Sequence, residues 1–379
     1  MSNAIVIYPL YAIMFTERGG LSLSAVSTLF AIWTAAAMIF ELPTGLIADR
    51  YPRKYVLIIG ELINAGAFLV WLIAPFFVGY MSGFILWGAA YALKSGAYQA
   101  LVYDELTSTG EAHEYTKMMA RVRASEFSGM LLAFIVAYLL SIGGVKYNLL
   151  LVISALTAGA SAGFLGLLPK VQNRLTDKIP ESQPKLLLRA IKTVAKDAQI
   201  RIIIAWLAIV AGFIGWYEEY TPLFDTRAGV AVHYVPLVIA GALVLNIIAS
   251  FIAPHFQANS RTAKGGLVLG STFLIICATL GWWLPVIILS VHMGLILLRI
   301  LRILLDAELQ HAADPSIRAT LGSVAGFASY PITIGVALMF AAMSQHLSDF
   351  LPFRWIGLIL ALCAVGLLVN TKNISSNKP

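Results

Sequence analysis

The sequence predicts an all-α membrane protein of twelve transmembrane helices arranged as two pseudo-symmetric six-helix bundles. Three observations predict it. Hydrophobic residues make up 59% of the chain and charged residues 12%, against roughly 45–50% and about 25% in a soluble domain, so one globular core cannot absorb the apolar surface. The apolar residues lie in long uninterrupted runs, and backbone groups inside a bilayer must be satisfied within the protein, which leaves helices or closed barrels and here selects helices. A single long polar connection, Lys170 to Arg201, divides the runs six and six.

The first run, residues 4–16, is short. Ala4 to Phe15 would rise only about 18 Å at 1.5 Å per residue, so a truncated N-terminus or a misassigned start at Met1-Ser2-Asn3-Ala4 is expected. With no basic stretch ahead of it, it is not a cleavable signal peptide. Spans follow near residues 24–48, 55–77, 80–103, 119–142 and 147–168, and most reach the roughly 20 residues needed to cross hydrocarbon. The second set falls near 202–224, 234–254, 265–282, 285–307, 319–343 and 354–370. Cys277 and Cys363 are lone residues in apolar spans and read as small hydrophobes. Trp216, Tyr217 and Tyr220 near the end of the seventh span, with Trp282 and Trp283 at the next outer boundary, fit an interfacial aromatic belt.

The expected domains are residues 1–169, a cytoplasmic linker over 170–201, and residues 202–379. Within the linker, Lys185-Leu186-Leu187-Leu188-Arg189-Ala190-Ile191-Lys192-Thr193-Val194-Ala195-Lys196 places cations opposite apolar residues at helical spacing. Two readings stand side by side: an interfacial helix with its basic face on anionic headgroups, and a charged tether that runs into the seventh span. Lys and Arg fall mostly on one side of the spans: Arg50, Arg53, Lys54, Lys117, Arg121, Arg123, the linker cations, Arg261, Lys264, Arg318, Lys372 and Lys378. Only Arg18, Lys146, Arg227 and Arg354 lie on the other. The first side is therefore cytoplasmic, both termini lie inside, and the net charge of +7 is topogenic and not a nucleic-acid surface.

Gly45-Leu46-Ile47-Ala48-Asp49-Arg50-Tyr51-Pro52-Arg53-Lys54 joins the second and third spans. Its Gly-x-x-x-Asp-Arg-x-x-Arg-Lys spacing resembles the signature loop of the major facilitator superfamily, and Glu41-Leu42-Pro43-Thr44 before it is similar to a bacterial drug-efflux-like subgroup. The likeness continues at Ser95-Gly96-Ala97-Tyr98-Gln99-Ala100-Leu101-Val102-Tyr103-Asp104, closing the fourth span, and at Pro315-Ser316-Ile317-Arg318-Ala319-Thr320, opening the eleventh. The resemblance implies a carrier whose two halves rock about a central site. A faint repeat, Phe15 to Leu21 against Phe224 to Val230, agrees with two related halves. The resemblance also implies a conformational latch: Asp49 would meet the N-terminus of the eleventh span at Arg318, where unpaired backbone donors carry partial positive charge. Gly45, Arg50 and Arg53 belong to the same loop, with Arg53 the best additional latch residue. Where many proton-coupled relatives have an arginine four residues before a glycine of the fourth span, this chain has Phe84 before Gly88. Lys94 is a candidate replacement. The fifth span also lacks the Gly-Pro element of many drug antiporters.

Ionisable residues inside spans are costly and must face protein or water, which makes them candidates by default. In the tenth span His292, Arg299, Arg302 and Asp306 share one helical face. Arg299, the deepest cation, either presents its guanidinium to an anionic or carbonyl-bearing substrate or serves an interdomain gate, with Arg302 held by Asp306. Of Glu218 and Glu219, placed toward the outer face, Glu219 is the candidate proton site. Glu41, Lys94 and Glu126 are expected in one layer, with Lys94 paired to Glu126 or Glu41. No metal, cofactor, nucleotide-binding loop or catalytic set is expected, so the chain is not read as an enzyme or a primary pump. The partners expected are a small-molecule substrate, protons and membrane lipids, for a monomer in the cytoplasmic (inner) membrane. The expected activity is proton-coupled efflux of a small amphipathic or anionic organic compound. Alternatives are a proton-coupled sugar or metabolite uptake symporter, or a non-transporting receptor on the same scaffold.

Overall fold

The apolar runs fold as helices. The computed structural model describes residues 4–168, 183–256, 261–280, 283–314, 317–346 and 350–375. Among them lie thirteen α-helices: α1 (Tyr11–Glu17), α2 (Leu23–Arg50), α3 (Arg53–Ile73), α4 (Phe77–Ser108), α5 (Tyr115–Ser141), α6 (Tyr147–Leu167), α7 (Gln183–Lys196), α8 (Ala198–Ala228), α9 (Val235–Ile252), α10 (Arg261–Leu280), α11 (Leu284–Ala312), α12 (Arg318–Met343) and α13 (Leu351–Ser375). Eight stretches among the described residues are long and apolar enough to cross a bilayer. Twelve helices match the predicted spans in order, and α7 is the predicted linker helix.

The short first span is partly non-helical. Residues 6–10 form turns ahead of α1, and α6 supplies polar side chains to that backbone: Ile7 N–H donates to Ser154 Oγ at 3.0 Å, and Thr157 Oγ1 donates to the Ala4 carbonyl at 3.2 Å. Irregular backbone at membrane depth is tolerated where protein buries and satisfies it in this way.

Contacts divide the chain into two units, Met1–Leu175 with Val230–Leu243, and Thr176–Gly229 with Val244–Pro379. In the first, α3 packs against α4 and α6, and α2 packs against α4. At Gly88 of α4 an added Cβ would lie 2.9 Å from both Ala36 Cβ and Ala37 N, so the missing side chain is what lets α2 and α4 approach so closely. An aromatic core fills this unit. Phe84 stacks on Trp87 at 5.9 Å, and both rings pack on Tyr11 and Trp71. The family's arginine position is thus occupied by an apolar packing residue. In the second unit, α10 packs against α11 and α13, repeating the pattern of α3 with α4 and α6, while α8 packs against α11 and α12.

Helix ends are closed by charge. Asp197 caps α8 by accepting from Gln199 N and Ile200 N at 2.8 and 3.1 Å. Gly229 ends α8 in the left-handed region at φ 111°, which glycine adopts without strain. Arg18 donates to the Trp71 and Leu72 carbonyls at the end of α3, and Arg354 to the Thr279 carbonyl and hydroxyl near the end of α10. Lys54, from the signature loop, is buried and donates to the Gly166 carbonyl at 2.9 Å and to that of Leu168, closing α6. At Arg18, Arg354 and Lys54 a cation meets the partial negative charge of a helix C-terminus.

Two sequence expectations are corrected. The seventh span does not end at 224 but runs as α8 to Ala228, so Asp225 is a span residue. Trp216, Tyr217 and Tyr220 are not an interfacial belt: all three are fully buried, packing with Phe340 and Phe353 inside the second unit. The longer α8 explains both, since it leaves these rings about two to three turns short of the helix end. Trp283, at the start of α11, is exposed as a belt residue would be; Trp282 lies outside the described residues.

Candidate functional site

Several described ionisable residues of the spans are held in pairs by antiparallel helix neighbours. In the second unit the tenth-span stripe faces α8. Arg299, near the middle of α11, pairs through Nη2 with Glu218 Oε1 of α8; the two side chains keep 35% and 31% of their surface exposed. Two turns away His292 Nε2 lies 3.4 Å from Asp225 Oδ2, and both groups are buried. The steps are seven residues on each helix, so the two contacts are rungs of one register about 10 Å apart. Beside the lower-exposure rung, Asp225 Oδ1 and the Tyr217 hydroxyl are buried without a hydrogen-bond partner. Arg302 Nε sits 3.9 Å from Asp306 Oδ2, a loose and half-exposed i, i+4 contact that matches the expected pairing.

The sequence singles out Glu219, and the structure adds a partner for its neighbour. Glu218 engages Arg299, and it stands about two-thirds of the way along α8. Glu219 is half-buried beside it. The signal available in the sequence was the equal seven-residue spacing of Glu218 to Asp225 and of His292 to Arg299, which an antiparallel pairing of the two spans would align. Asp225 lies one residue past the span that hydropathy marks, yet within α8.

In the first unit Lys94 is indeed paired and not exposed, but its partner is neither Glu126 nor Glu41. Lys94 Nζ lies 3.3 Å from Glu61 Oε1 of α3, with the two side chains 16% and 1% exposed. Glu126 instead pairs with Arg123 at 3.1 Å along its own helix, and Glu41 Oε2 is buried without a partner beside Pro43. The physical reason is the α3–α4 register. Arg53 at the start of α3 pairs with Asp104 on α4 and donates to the Ala100 carbonyl at 3.1 Å, and eight residues up α3 against ten back along α4 brings Glu61 to Lys94. A methyl group at Gly60 would lie 2.8 Å from Lys94 Cγ, so the glycine admits the lysine stem. Asn64, one turn above Glu61, is fully buried with both amide atoms unpartnered, as is Glu61 Oε2.

Of the expected latch residues, Arg53 is taken up by Asp104, Arg50 is exposed in the last turn of α2, and Arg318 Nη2 donates to the Ala313 carbonyl at 3.4 Å. Gly45 lies within α2, and the side chain of Asp49 falls outside the described residues.

A multi-pass helical chain whose mid-span charges are paired between neighbouring helices, with one pair still partly open, has the makeup of a membrane transporter and not of an enzyme. The family model for the Major Facilitator Superfamily matches residues 1–362, and the chain belongs to that superfamily. Among solved structures it resembles a mutant form of the nucleoside transporter NupG with a TM-score of 0.81 at 13% identity, covering 97% of this chain and 96% of that one. It also resembles the xylose transporter XylE from E. coli in an inward-open conformation, with TM-score 0.72, 14% identity, and 97% and 92% coverage. A bacterial homolog of the human lysosomal transporter Spinster gives 0.71 at 16% identity, with 97% and 89% coverage. At these identities the likeness is one of fold. No curated protein sequence matches the chain.

Proposed function

We propose that this transporter is a proton-coupled secondary carrier of a small organic anion, in which Glu218 and Arg299 form the exchange pair. The observation that supports it is the partly exposed Glu218–Arg299 contact between α8 and α11. A substrate carboxylate or similar anion competes with Glu218 for the planar donor fork of Arg299. Once displaced, Glu218 is an uncompensated carboxylate at membrane depth, and taking up a proton removes that cost. Anion and proton therefore favour each other's binding, a positive and reciprocal coupling. Such coupling moves both in one direction, so the geometry favours symport over the proton-for-substrate exchange expected from the drug-efflux likeness. Residues 1–169 and 202–379 serve as the two alternating halves, in a monomer in the cytoplasmic membrane with both termini inside, and Asp49 remains the proposed latch.

The test is proton flux in oriented proteoliposomes with an internal pH indicator, scanned over carboxylate, phosphate-bearing, sugar and lipophilic cationic compounds. Symport predicts that an accepted anion added outside acidifies the lumen. A lumen that instead becomes alkaline when substrate enters establishes antiport, the efflux reading. Glu218→Gln mimics the protonated side chain, so anion binding to it should lose its pH dependence while substrate exchange without a gradient persists. An unchanged pH dependence removes Glu218 from the coupling.

A further inference from the structure

The linker helix α7 has three faces where a solvent-exposed helix on a protein surface needs two. At 100° per residue, Leu186, Ala190 and Thr193 form one sector. Ala190 is fully buried and its two neighbours half-buried, where α7 packs on α8 and α12. Arg189, Lys192 and Lys196 form a second sector, all exposed. The third holds Leu187, Leu188 and Ile191, which are 41%, 51% and 50% exposed. A polar face toward water and an apolar face toward protein would complete an ordinary amphipathic helix. Here the protein-facing sector is already filled, and a second apolar sector lies next to the cations.

The junction to the membrane span fixes where that sector sits. A single residue, Asp197, separates α7 from α8; its N–H donates to the Thr193 carbonyl at 2.8 Å while its carboxylate caps α8. Arg201 in the first turn of α8 donates to the Ala195 carbonyl at 2.9 Å. The two helices are thus clamped end to end, and α7 is held at the level where a membrane span enters the bilayer. An apolar strip flanked by Lys and Arg at that level has the composition of an interfacial helix.

We infer that α7 is a docking surface for anionic membrane lipid: Leu187, Leu188 and Ile191 enter the headgroup–acyl boundary while Arg189, Lys192 and Lys196 hold acidic headgroups. Charge complementarity selects the lipid. Each cation near an acidic surface contributes roughly fivefold, so three together favour the docked position on the order of a hundredfold over a neutral surface. The clamp at Asp197 carries lipid attachment directly to α8, the helix that bears Glu218 and Asp225. The inference rests on the membrane setting and not on the substrate assigned above.

The full-length protein with Cys277→Ser and Cys363→Ser, carrying Leu188→Cys labelled with an environment-sensitive fluorophore, is reconstituted into phosphatidylcholine vesicles with and without about one-third phosphatidylglycerol. Docking predicts a blue-shifted label, quenched by a lipid-attached quencher, in the acidic vesicles and a solvent-exposed label in the neutral ones. The shift should be lost in 1 M salt, where the screening length falls to about 3 Å, and in the Arg189→Gln/Lys192→Gln/Lys196→Gln variant. A label equally exposed in both vesicle types overturns the inference. So does a label shielded in both and in detergent, which would mean that protein covers this face. Far-UV circular dichroism and gel filtration of the triple variant confirm that it is folded; a folded triple variant that still responds to acidic lipid also refutes the assignment.

Discussion

Lys94 and Glu61 put a worked number on a charge pair that the bilayer encloses. Replacing Lys94 by Met keeps the length of the stem against Gly60 and removes the ammonium 3.3 Å from a carboxylate that is 1% exposed. At an effective dielectric near 20, the attraction lost at that distance is about 5 kcal/mol. Glu61 has one escape, which is to bind a proton. For a carboxyl of ordinary pKa about 4.3, protonation at pH 7 costs about 3.7 kcal/mol, which caps the penalty. Both routes agree with the range of about 3–5 kcal/mol for breaking a buried pair from one side. The cap makes the penalty depend on pH. In the variant the folded state carries Glu61 protonated while the unfolded chain releases that proton, so the penalty grows as pH rises above the ordinary carboxyl range. At pH 5 the cost should shrink to about 1 kcal/mol. Lys94→Met/Glu61→Leu removes both charges and should recover most of the loss, because an apolar pair avoids desolvation altogether. The assay is thermal and denaturant unfolding of purified protein in detergent at pH 5 and pH 7. If Lys94→Met lies within about 1 kcal/mol of the parent at pH 7, or the double variant is as unstable as the single one, the pair does not carry the energy assigned to it.

Other expectations follow from the packing. Gly88→Leu should cost at least the roughly 1–3 kcal/mol of an overpacked core and lower membrane abundance, whereas Gly66→Ala, whose added Cβ meets nothing within 4 Å, should pass unnoticed in the same expression assay. Trp216→Ala removes a fully buried ring from the cluster with Tyr220, Phe340 and Phe353 and should lose about 3–5 kcal/mol by unfolding in detergent; a belt residue would lose far less. Asp49→Asn should insert and accumulate normally yet transport poorly, since it keeps size and loses the charge that favours a helix N-terminus; near-normal uptake at normal abundance would remove the latch.

Family and helix order were legible because both are written locally. The signature around Asp49 is ten consecutive residues, and hydropathy marks each span without reference to its neighbours. Charge pairing was not legible in this way, because it depends on the register between helices distant in sequence. Depth alone points Lys94 to Glu41 or Glu126, whereas its partner Glu61 lies at a comparable depth inside the apolar run of α3. The Arg53–Asp104 contact at the start of α3 sets that register. On α8 the drop in hydropathy through Glu218, Glu219 and Asp225 looked like the end of a span. It marks instead the carboxylates that Arg299 and His292 of α11 require.

Lys54 holds two posts at different times. Its acceptors on α6 lie 112 and 114 residues further along the chain, so at a synthesis rate of about 5–20 residues per second roughly 6 to 22 seconds pass before they are made. During that interval the ammonium has no helix end to close, and in the proposed orientation it helps keep the loop on the cytoplasmic side. When α6 arrives, the same charge is withdrawn from the surface and consumed as a cap. Neutralising it should therefore produce two separable defects, one in nascent chains stalled before α6, read as misoriented α2 and α3, and one in completed protein, read as a loosened α6.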